Sequence, residues 1–195
     1  MQKNWIGRSK GAEIDFAVEG SDKKISVFTT RPDTLFGVTY VVVAPEHPLA
    51  AEITTEEYKK TVEEYKLAAS KLTEIDRTST VKEKTGVPTG AFAINPVNGE
   101  RVPVWVADYA LITYGTGCVM AVPAHDERDF EFATKFNLPI RKVILQPGTG
   151  ENDALTAAYT DPGTMINSGE FNGIANEEAK TGITEFLSVK HMGKA

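Results

Sequence analysis

Ala91-Phe92-Ala93-Ile94-Asn95-Pro96-Val97-Asn98-Gly99-Glu100-Arg101-Val102-Pro103-Val104-Trp105-Val106 is the stretch that commits the chain to a β-rich fold. Asn98-Gly99 supplies the residue pair that tight hairpin turns favour, and it stands between the strand-like runs Ala91–Ile94 and Val102–Val106. Strand signals continue on both sides. Upstream, Glu13 to Val18 alternate polar and apolar with the period of two that marks a half-buried strand. Ile25 to Phe28 is a second short strand, and Val38 to Ala44 is a continuous apolar run with the character of a buried one. Downstream, Ala110–Ile112 and Cys118–Val122 flank Gly115-Thr116-Gly117, where glycine permits backbone geometry that other residues resist. Ile140 to Leu145 reads as a further strand.

Helical periodicity interrupts these strands three times. Thr54 and Glu57 resemble a capping box, and Tyr58, Val62, Tyr65, Ala69 and Leu72 then recur at helical spacing, which predicts one amphipathic helix over about Thr55 to Ile75. Its charged positions read as a solvated face. Asp126 is placed to cap a second helix carrying Phe130, Ala133 and Phe136 on one side. A third runs from about Asn176 to Leu187 with Ala179, Ile183 and Phe186 inward. Between the last two, Gln146 to Gly173 is polar and glycine-rich, the composition of a mobile surface flap. The expectation is an α+β domain with a curved, barrel-like β-sheet core and about three surrounding helices.

The chain has 195 residues, enough for one domain of generous size or two small ones, with a proper core. Its 21 basic and 27 acidic side chains give a net charge of −6, which argues against wrapping duplex nucleic acid but not against gripping the end of one strand. No apolar run approaches the roughly 20 residues of a membrane span, and no basic-then-apolar leader opens the sequence. Cys118 is the single cysteine, read as a small buried apolar residue; no internal disulfide is possible, and a reducing cytoplasm is expected.

Two segments concentrate unusual residues. Thr29-Thr30-Arg31-Pro32-Asp33-Thr34 sets hydroxyls, amides and a guanidinium on a short stiff loop, which reads either as a satisfied turn at a strand end or as a polar cradle. Gly115 to Asp129 leaves a glycine turn as a strand, ends at Pro123, and delivers His125, Asp126, Arg128 and Asp129 around a helix start. One carboxylate there serves as a cap; two, with a histidine and an arginine, exceed what a cap requires. His47, His125 and His191 are far apart, and no paired-cysteine or His-Glu-x-x-His spacing occurs, so no metal is expected. Nucleophile-elbow, phosphate-loop and dinucleotide fingerprints are missing too, and no cofactor is expected. What remains is polar chemistry that positions water, hydroxyls and a charged substrate.

At these same two segments the chain resembles a known family. Thr29 through Gly37 is similar to the threonine-rich motif of leucyl-tRNA synthetase editing domains, and Gly115 through Phe130 to their second motif, which ends His-Asp-x-Arg-Asp. Arg-Pro-Asp-Thr and Val119-Met120-Ala121-Val122 favour the leucyl branch over the related valyl and isoleucyl domains. Asn4 to Ser9 resembles the point where the editing insertion leaves the catalytic body, and His191 to Ala195 its return. The resemblance therefore implies one editing domain over 1–195, with 1–11 and 189–195 as connector stubs. The synthetase's nucleotide-binding signatures are absent, so leucine activation is not expected of this chain.

The resemblance implies hydrolysis of the ester between a wrong amino acid and the terminal adenosine of leucine tRNA. It assigns Asp129 to the substrate α-ammonium and Thr34 to the wall that blocks leucine. Met120 and Val122 would line the same pocket, with Leu111 and Tyr114 near the adenosine. Arg31 meets a terminal phosphate or orients the loop. Thr29 and Thr30 hold the attacking water or ribose hydroxyls, and Arg128 joins the substrate contacts. His125, Asp126 and the free ribose hydroxyl all remain open as acceptors of the water's proton. Two rival classes, a tRNA-end binding module and a structural insert with a dead pocket, need neither the Asp129–Thr34 pairing nor the threonine cluster. The partners implied are the 3'-terminal adenosine of tRNA(Leu) and the rest of the synthetase, with no membrane.

Overall fold

The computed structural model describes residues 12–73, 75–76, 85–112, 116–150, 155–189 and 193–194. Its core is one curved sheet. Strands β1 (Ala12–Val18), β2 (Lys24–Thr29), β3 (Tyr40–Val43), β4 (Gly86–Ile94), β5 (Arg101–Ala107) and β6 (Cys118–Ala121) line up in the order β2-β1-β4-β5-β3-β6. β3 runs parallel to β5, and the other neighbours are antiparallel. Gly193–Lys194 adds a short strand beside β1 at Glu13 and Ile14.

Strand periodicity explains how the sheet fills itself. Ile14, Phe16 and Val18 of β1, Ile25 and Val27 of β2, Val41 and Val43 of β3, and Val102, Val104 and Val106 of β5 all enter one buried cluster with Cys118 and Met120 of β6. The alternate residues Tyr40 and Val42 join a second cluster on the other face, with Phe132 and Ala133. β3 is therefore buried on both sides, which is why its sequence is a valine run without alternation. The sheet does not close into a barrel. β2 and β6, the two ends of the path, share no ladder among the described residues; they are drawn together by the Thr116 hydroxyl donating to the Ser26 carbonyl.

Among the described residues, helices α1 (Pro48–Ile53), α2 (Lys59–Ala69), α3 (Glu127–Phe136) and α4 (Asn176–Val189) pack around this sheet. Ala50 and Ile53 of α1, Val62 of α2, and Ala179 and Ile183 of α4 enter the main cluster; α3 covers the opposite face. The α+β class and curved sheet expected from sequence are present.

Several boundaries differ from expectation. The predicted helix Thr55–Ile75 begins only at Lys59 and ends at Ala69, after a separate turn of 3-10 helix at Glu56–Tyr58. Thr54 does not cap it, because its hydroxyl bonds back to the Ala50 carbonyl and closes α1. α3 turns Asp129, Phe132 and Ala133 inward rather than Phe130, since Phe132 meets Tyr40, Trp105 and Tyr109. Ala110–Ile112 is bend and turn rather than a strand, and Ile140–Leu145 shortens to Ile144–Leu145 (β7). The hairpin between β4 and β5 is present, but its loop spans Asn95 to Glu100, tied by the Asn95 N–H donating to the Glu100 carbonyl at 2.8 Å.

The described part of the segment expected to be a flap is packed onto the domain. Thr164–Met165 (β8) pairs with β7, Met165 is buried, and the Tyr159 N–H donates to the Ala124 carbonyl at 2.8 Å. Its polar composition is used in backbone-satisfying bonds such as Asn172 Oδ1 accepting from the Ser168 N–H. The connector expected at 1–11 lies outside the described residues, as do 190–192 and 195.

Candidate active site

The open seam between β2 and β6 holds a cavity of about 360 Å³, within the range of small-ligand sites. β2 delivers Thr29 and Thr30 to one wall. Proline then ends the ladder, and the chain coils into a 3-10 turn over Pro32–Gly37 that carries Thr34. β6 supplies Met120 and, just past its end, Val122 to the opposite wall. The turn from Pro123 into α3 closes the end of the cavity with His125, Asp126, Arg128 and Asp129, and Leu111 lies at its rim. Every residue assigned to the site from sequence lines this cavity except Tyr114, which lies outside the described residues. Two segments almost a hundred positions apart in sequence thus face each other across one seam.

Asp126 caps α3, its Oδ1 accepting the Asp129 N–H at 3.0 Å. That fixes the first turn of the helix and aims Asp129 back toward β6. The Asp129 side chain is only 5% exposed. Its Oδ1 accepts the Tyr109 hydroxyl at 2.8 Å and its Oδ2 the Val122 N–H at 2.9 Å. Burial pushes the Asp129 carboxyl up to about 7; the Asp126 charge adds to the rise, while the Val122 and Tyr109 hydrogen bonds and the Arg128 cation oppose it. The cavity therefore ends in a carboxyl group that is fixed in direction and readily ionised by an arriving cation.

His125 is 3% exposed and fully bonded. Nε2 lies 3.0 Å from the Val143 N–H and 3.1 Å from the Ile144 N–H, so it is an acceptor. Nδ1 must then carry the proton and donate it to the Tyr159 carbonyl at 2.8 Å. Burial lowers this imidazole to about 4. The ring ties the α3 entry to β7 and to the 155–173 segment, and neither nitrogen is left for a water. Of the proton acceptors open from sequence, His125 has the geometry of a fastener rather than a base.

The threonine turn is organised by its own side chains. Thr29 Oγ1 accepts the Arg31 N–H at 2.9 Å, and the Thr34 hydroxyl donates to the Arg31 carbonyl at 2.7 Å. Among the described residues the Thr30 hydroxyl makes no hydrogen bond. Arg31 pairs with the fully buried Asp33 at 3.3 Å, and Asp33 also accepts from Asn176 Nδ2 at 3.0 Å. The turn is thereby anchored to the start of α4. Arg128 is exposed, its guanidinium 5.7 Å from the Tyr109 ring. Among the described residues no cluster of three or more metal-ligating side chains occurs.

Sequence reasoning missed Tyr109, as well as Phe28, Ala110 and Val119 in the walls. Tyr109 lies two residues past β5, and a buried tyrosine near a strand end needs a partner for its hydroxyl, a signal that its type and position carry.

A family model described as "Leucyl-tRNA synthetase, editing domain" matches residues 3–188. A leucine–tRNA ligase of Clostridium beijerinckii is 60% identical over 193 residues, covering 99% of this chain and 23% of that protein. One from Thermosynechococcus vestitus is 53% identical over 194 residues, covering 100% and 23%. The chain thus spans about a quarter of the length of the curated relatives it matches. Among solved structures, it is similar to a chain of the ternary complex of Agrobacterium radiobacter K84 agnB2 LeuRS, tRNA and LeuAMS. That likeness has a TM-score of 0.71 and 35% identity over 97% of this chain and 20% of the other. On the family match, the relatives and the fold together, this chain belongs to the leucyl-tRNA synthetase editing-domain family.

Proposed function

We propose that this domain hydrolyses the ester joining a noncognate amino acid, such as norvaline or isoleucine, to the terminal adenosine of leucine tRNA, and excludes leucine. The observation that carries the reading is the Asp129 carboxyl, held by Tyr109 and Val122 at the end of a cavity whose other wall is a threonine turn. An aminoacyl ester has a free α-ammonium, and pairing with it favours the ionised carboxylate over the protonated one. At an effective dielectric of about 20, opposite charges about 4 Å apart attract by a few kcal/mol before desolvation.

With the ammonium at Asp129, the side chain extends between Thr34, Met120 and Val122. The Thr30 hydroxyl then serves the attacking water or a ribose hydroxyl. Asp126, which lines the cavity, and the substrate's free ribose hydroxyl are the acceptors for the water's proton, with His125 fixing the turn that carries Asp126. Arg31 and Arg128 supply the positive charge for the terminal phosphate, and Leu111 and Tyr114 the contacts to adenine. Such a second sieve answers a physical need, because one methyl group yields only about 1–3 kcal/mol of discrimination in a synthetic site.

The domain acts within a leucyl-tRNA synthetase in the cytoplasm, joined to the catalytic body through 1–11 and 189–195. The test is release of isoleucine from isoleucyl-tRNA(Leu) by the parent chain and by Asp129→Asn. Hydrolysis by the parent and its loss in the variant, with circular dichroism unchanged, is expected. A folded Asp129→Asn that retains the parent's rate contradicts the assignment.

A further inference from the structure

Tyr109 touches the proposed ammonium anchor, and nothing in the family resemblance gives it a role. Its side chain is buried, lines the cavity, and points its hydroxyl at Asp129 Oδ1 at 2.8 Å. A second phenol stands behind it. Tyr40 donates to the Asp129 backbone carbonyl at 3.1 Å, and the two hydroxyl oxygens are 3.4 Å apart. The pair comes from different strands, Tyr40 from β3 and Tyr109 from just past β5, and both rings pack on Phe132. We infer that Tyr109 is a positioning residue for the editing reaction, holding the Asp129 carboxylate ionised and aimed into the cavity so that it can receive the substrate's ammonium.

Tyr40 spends its one hydroxyl hydrogen on the Asp129 carbonyl, and Tyr109 spends its own on Oδ1. Both tyrosines resist ionisation strongly, burial being the first cause, so each remains a neutral donor throughout the neutral range. A neutral donor bonded to a carboxylate stabilises the charged form selectively. Protonation of Asp129 reverses the bond: the carboxylic acid then donates to the Tyr109 oxygen, and the Tyr109 hydrogen turns toward Tyr40. Every other group facing Asp129 has a different effect. Asp126 on the same turn repels the carboxylate, Arg128 on α3 attracts it from an exposed position, and the Val122 N–H after β6 holds Oδ2. His125 is neutral with both nitrogens occupied, and Arg31 across the cavity is paired with Asp33. Tyr109 is the side-chain donor on the carboxylate, and so the group whose loss raises the proton affinity of the anchor without removing the anchor.

This inference rests on the proposed function for its catalytic meaning, but its physical core is measurable without it. The carboxyl carbon of Asp129 is followed by NMR against pH in the parent chain, Tyr109→Phe and Tyr40→Phe. In Tyr109→Phe the titration midpoint should rise by about one pH unit, the scale set by one hydrogen bond to a charged group. Tyr40→Phe leaves both donors on the carboxylate and takes away only the oxygen that receives the Tyr109 hydrogen when Asp129 is protonated, so its midpoint should not rise and should stay at or fall below the parent's value. In deacylation of isoleucyl-tRNA(Leu), Tyr109→Phe should raise KM several-fold near pH 7 and recover toward the parent at pH 8.5, with kcat changed little. An unmoved midpoint in Tyr109→Phe, or an equal shift in Tyr40→Phe, overturns the inference. A KM defect that persists at pH 8.5 overturns it as well, because that is the signature of a purely structural role. If the parent chain shows no deacylation at all, the proposed function fails instead, and the titration still decides what Tyr109 does to Asp129.

Discussion

Thr34 illustrates how one side chain can serve two purposes in this site. Its hydroxyl is committed to the Arg31 carbonyl, so its branched β-carbon is held in one orientation at the cavity wall. Thr34→Ala removes both bond and bulk, and is expected to make leucyl-tRNA a substrate while isoleucyl-tRNA is still cleaved. Thr34→Val separates the two effects. It keeps the branch and loses the hydrogen bond, costing about 0.5–1.5 kcal/mol in stability, and should go on sparing leucyl-tRNA. Deacylation of both esters by both variants gives the answer; leucyl-tRNA intact with Thr34→Ala would move the sieve to Met120 and Val122. Two other residues set opposing pH dependences. The folded Asp129 holds its proton up to about pH 7, whereas an ordinary aspartate releases it near 3.9, so its contribution to stability falls as pH rises through that window. His125 is lowered to about 4, so the unfolded chain binds a proton below about 6.5 that the folded chain refuses, and stability falls as pH drops toward 4. The two slopes partly cancel in the parent. Asp129→Asn deletes the first, so between pH 4 and 6.5 the variant's stability should climb more steeply with pH than the parent's. Urea midpoints at four or five pH values measure this, and parallel curves would mean that Asp129 titrates at its ordinary position.

Elements, rather than single residues, explain why some of the design was readable from sequence. Between Pro88 and Phe92 the pairing of β4 with β5 slips in register, and Gly90 sits there at φ +80°. A Cβ at Gly90 would collide with the Thr55 side chain and come within 2.7 Å of Tyr58, where the loop before α2 docks on the bulge. Gly90→Ala combines that clash with a backbone angle unfavourable to alanine, and should cost more than about 1 kcal/mol in thermal or denaturant unfolding. No residue from Pro88 to Phe92 lines the cavity, so the folded variant should deacylate at the parent's rate. The hairpin containing this bulge was legible because Asn98-Gly99 and the flanking runs are local signals, and β1, β2, β3, β6 and α4 were legible for the same reason. The bulge itself was not, since it depends on Thr55 and Tyr58 approaching from another element. α1 was missed because a six-residue helix opening at Pro48 shows too little periodicity to register. The site divides along the same line. Thr29 to Thr34 and His125 to Asp129 are contiguous motifs and could be read directly. The Tyr109–Asp129 bond and the Asp33–Asn176 bond join residues 20 and 143 positions apart, and no local pattern encodes them. The two nitrogens of His125 went unread likewise, because their partners are the Val143 and Ile144 N–H groups and the Tyr159 carbonyl.

At the scale of the whole molecule, a curved sheet left open along one seam brings two sequence motifs face to face and places the cavity there. Its acidic charge limits what it can hold: Arg31 and Arg128 are the basic side chains in the described cavity wall, on a chain of net charge −6. Binding of a short RNA ending in adenosine should therefore weaken only gently with salt, with a log–log slope no steeper than about −1.4 for two phosphate contacts to a single strand. A much steeper slope would place the nucleic acid on a broader surface than the seam. The central claim, selective ester hydrolysis in that seam, is tested most directly by one paired measurement. Isoleucyl-tRNA(Leu) and leucyl-tRNA(Leu) are incubated side by side with the 195-residue chain, and the amino acid released from each is followed over time. Isoleucine is expected to be released well above the spontaneous rate, and leucine no faster than without protein. Release of both at equal rates, or of neither, would contradict it.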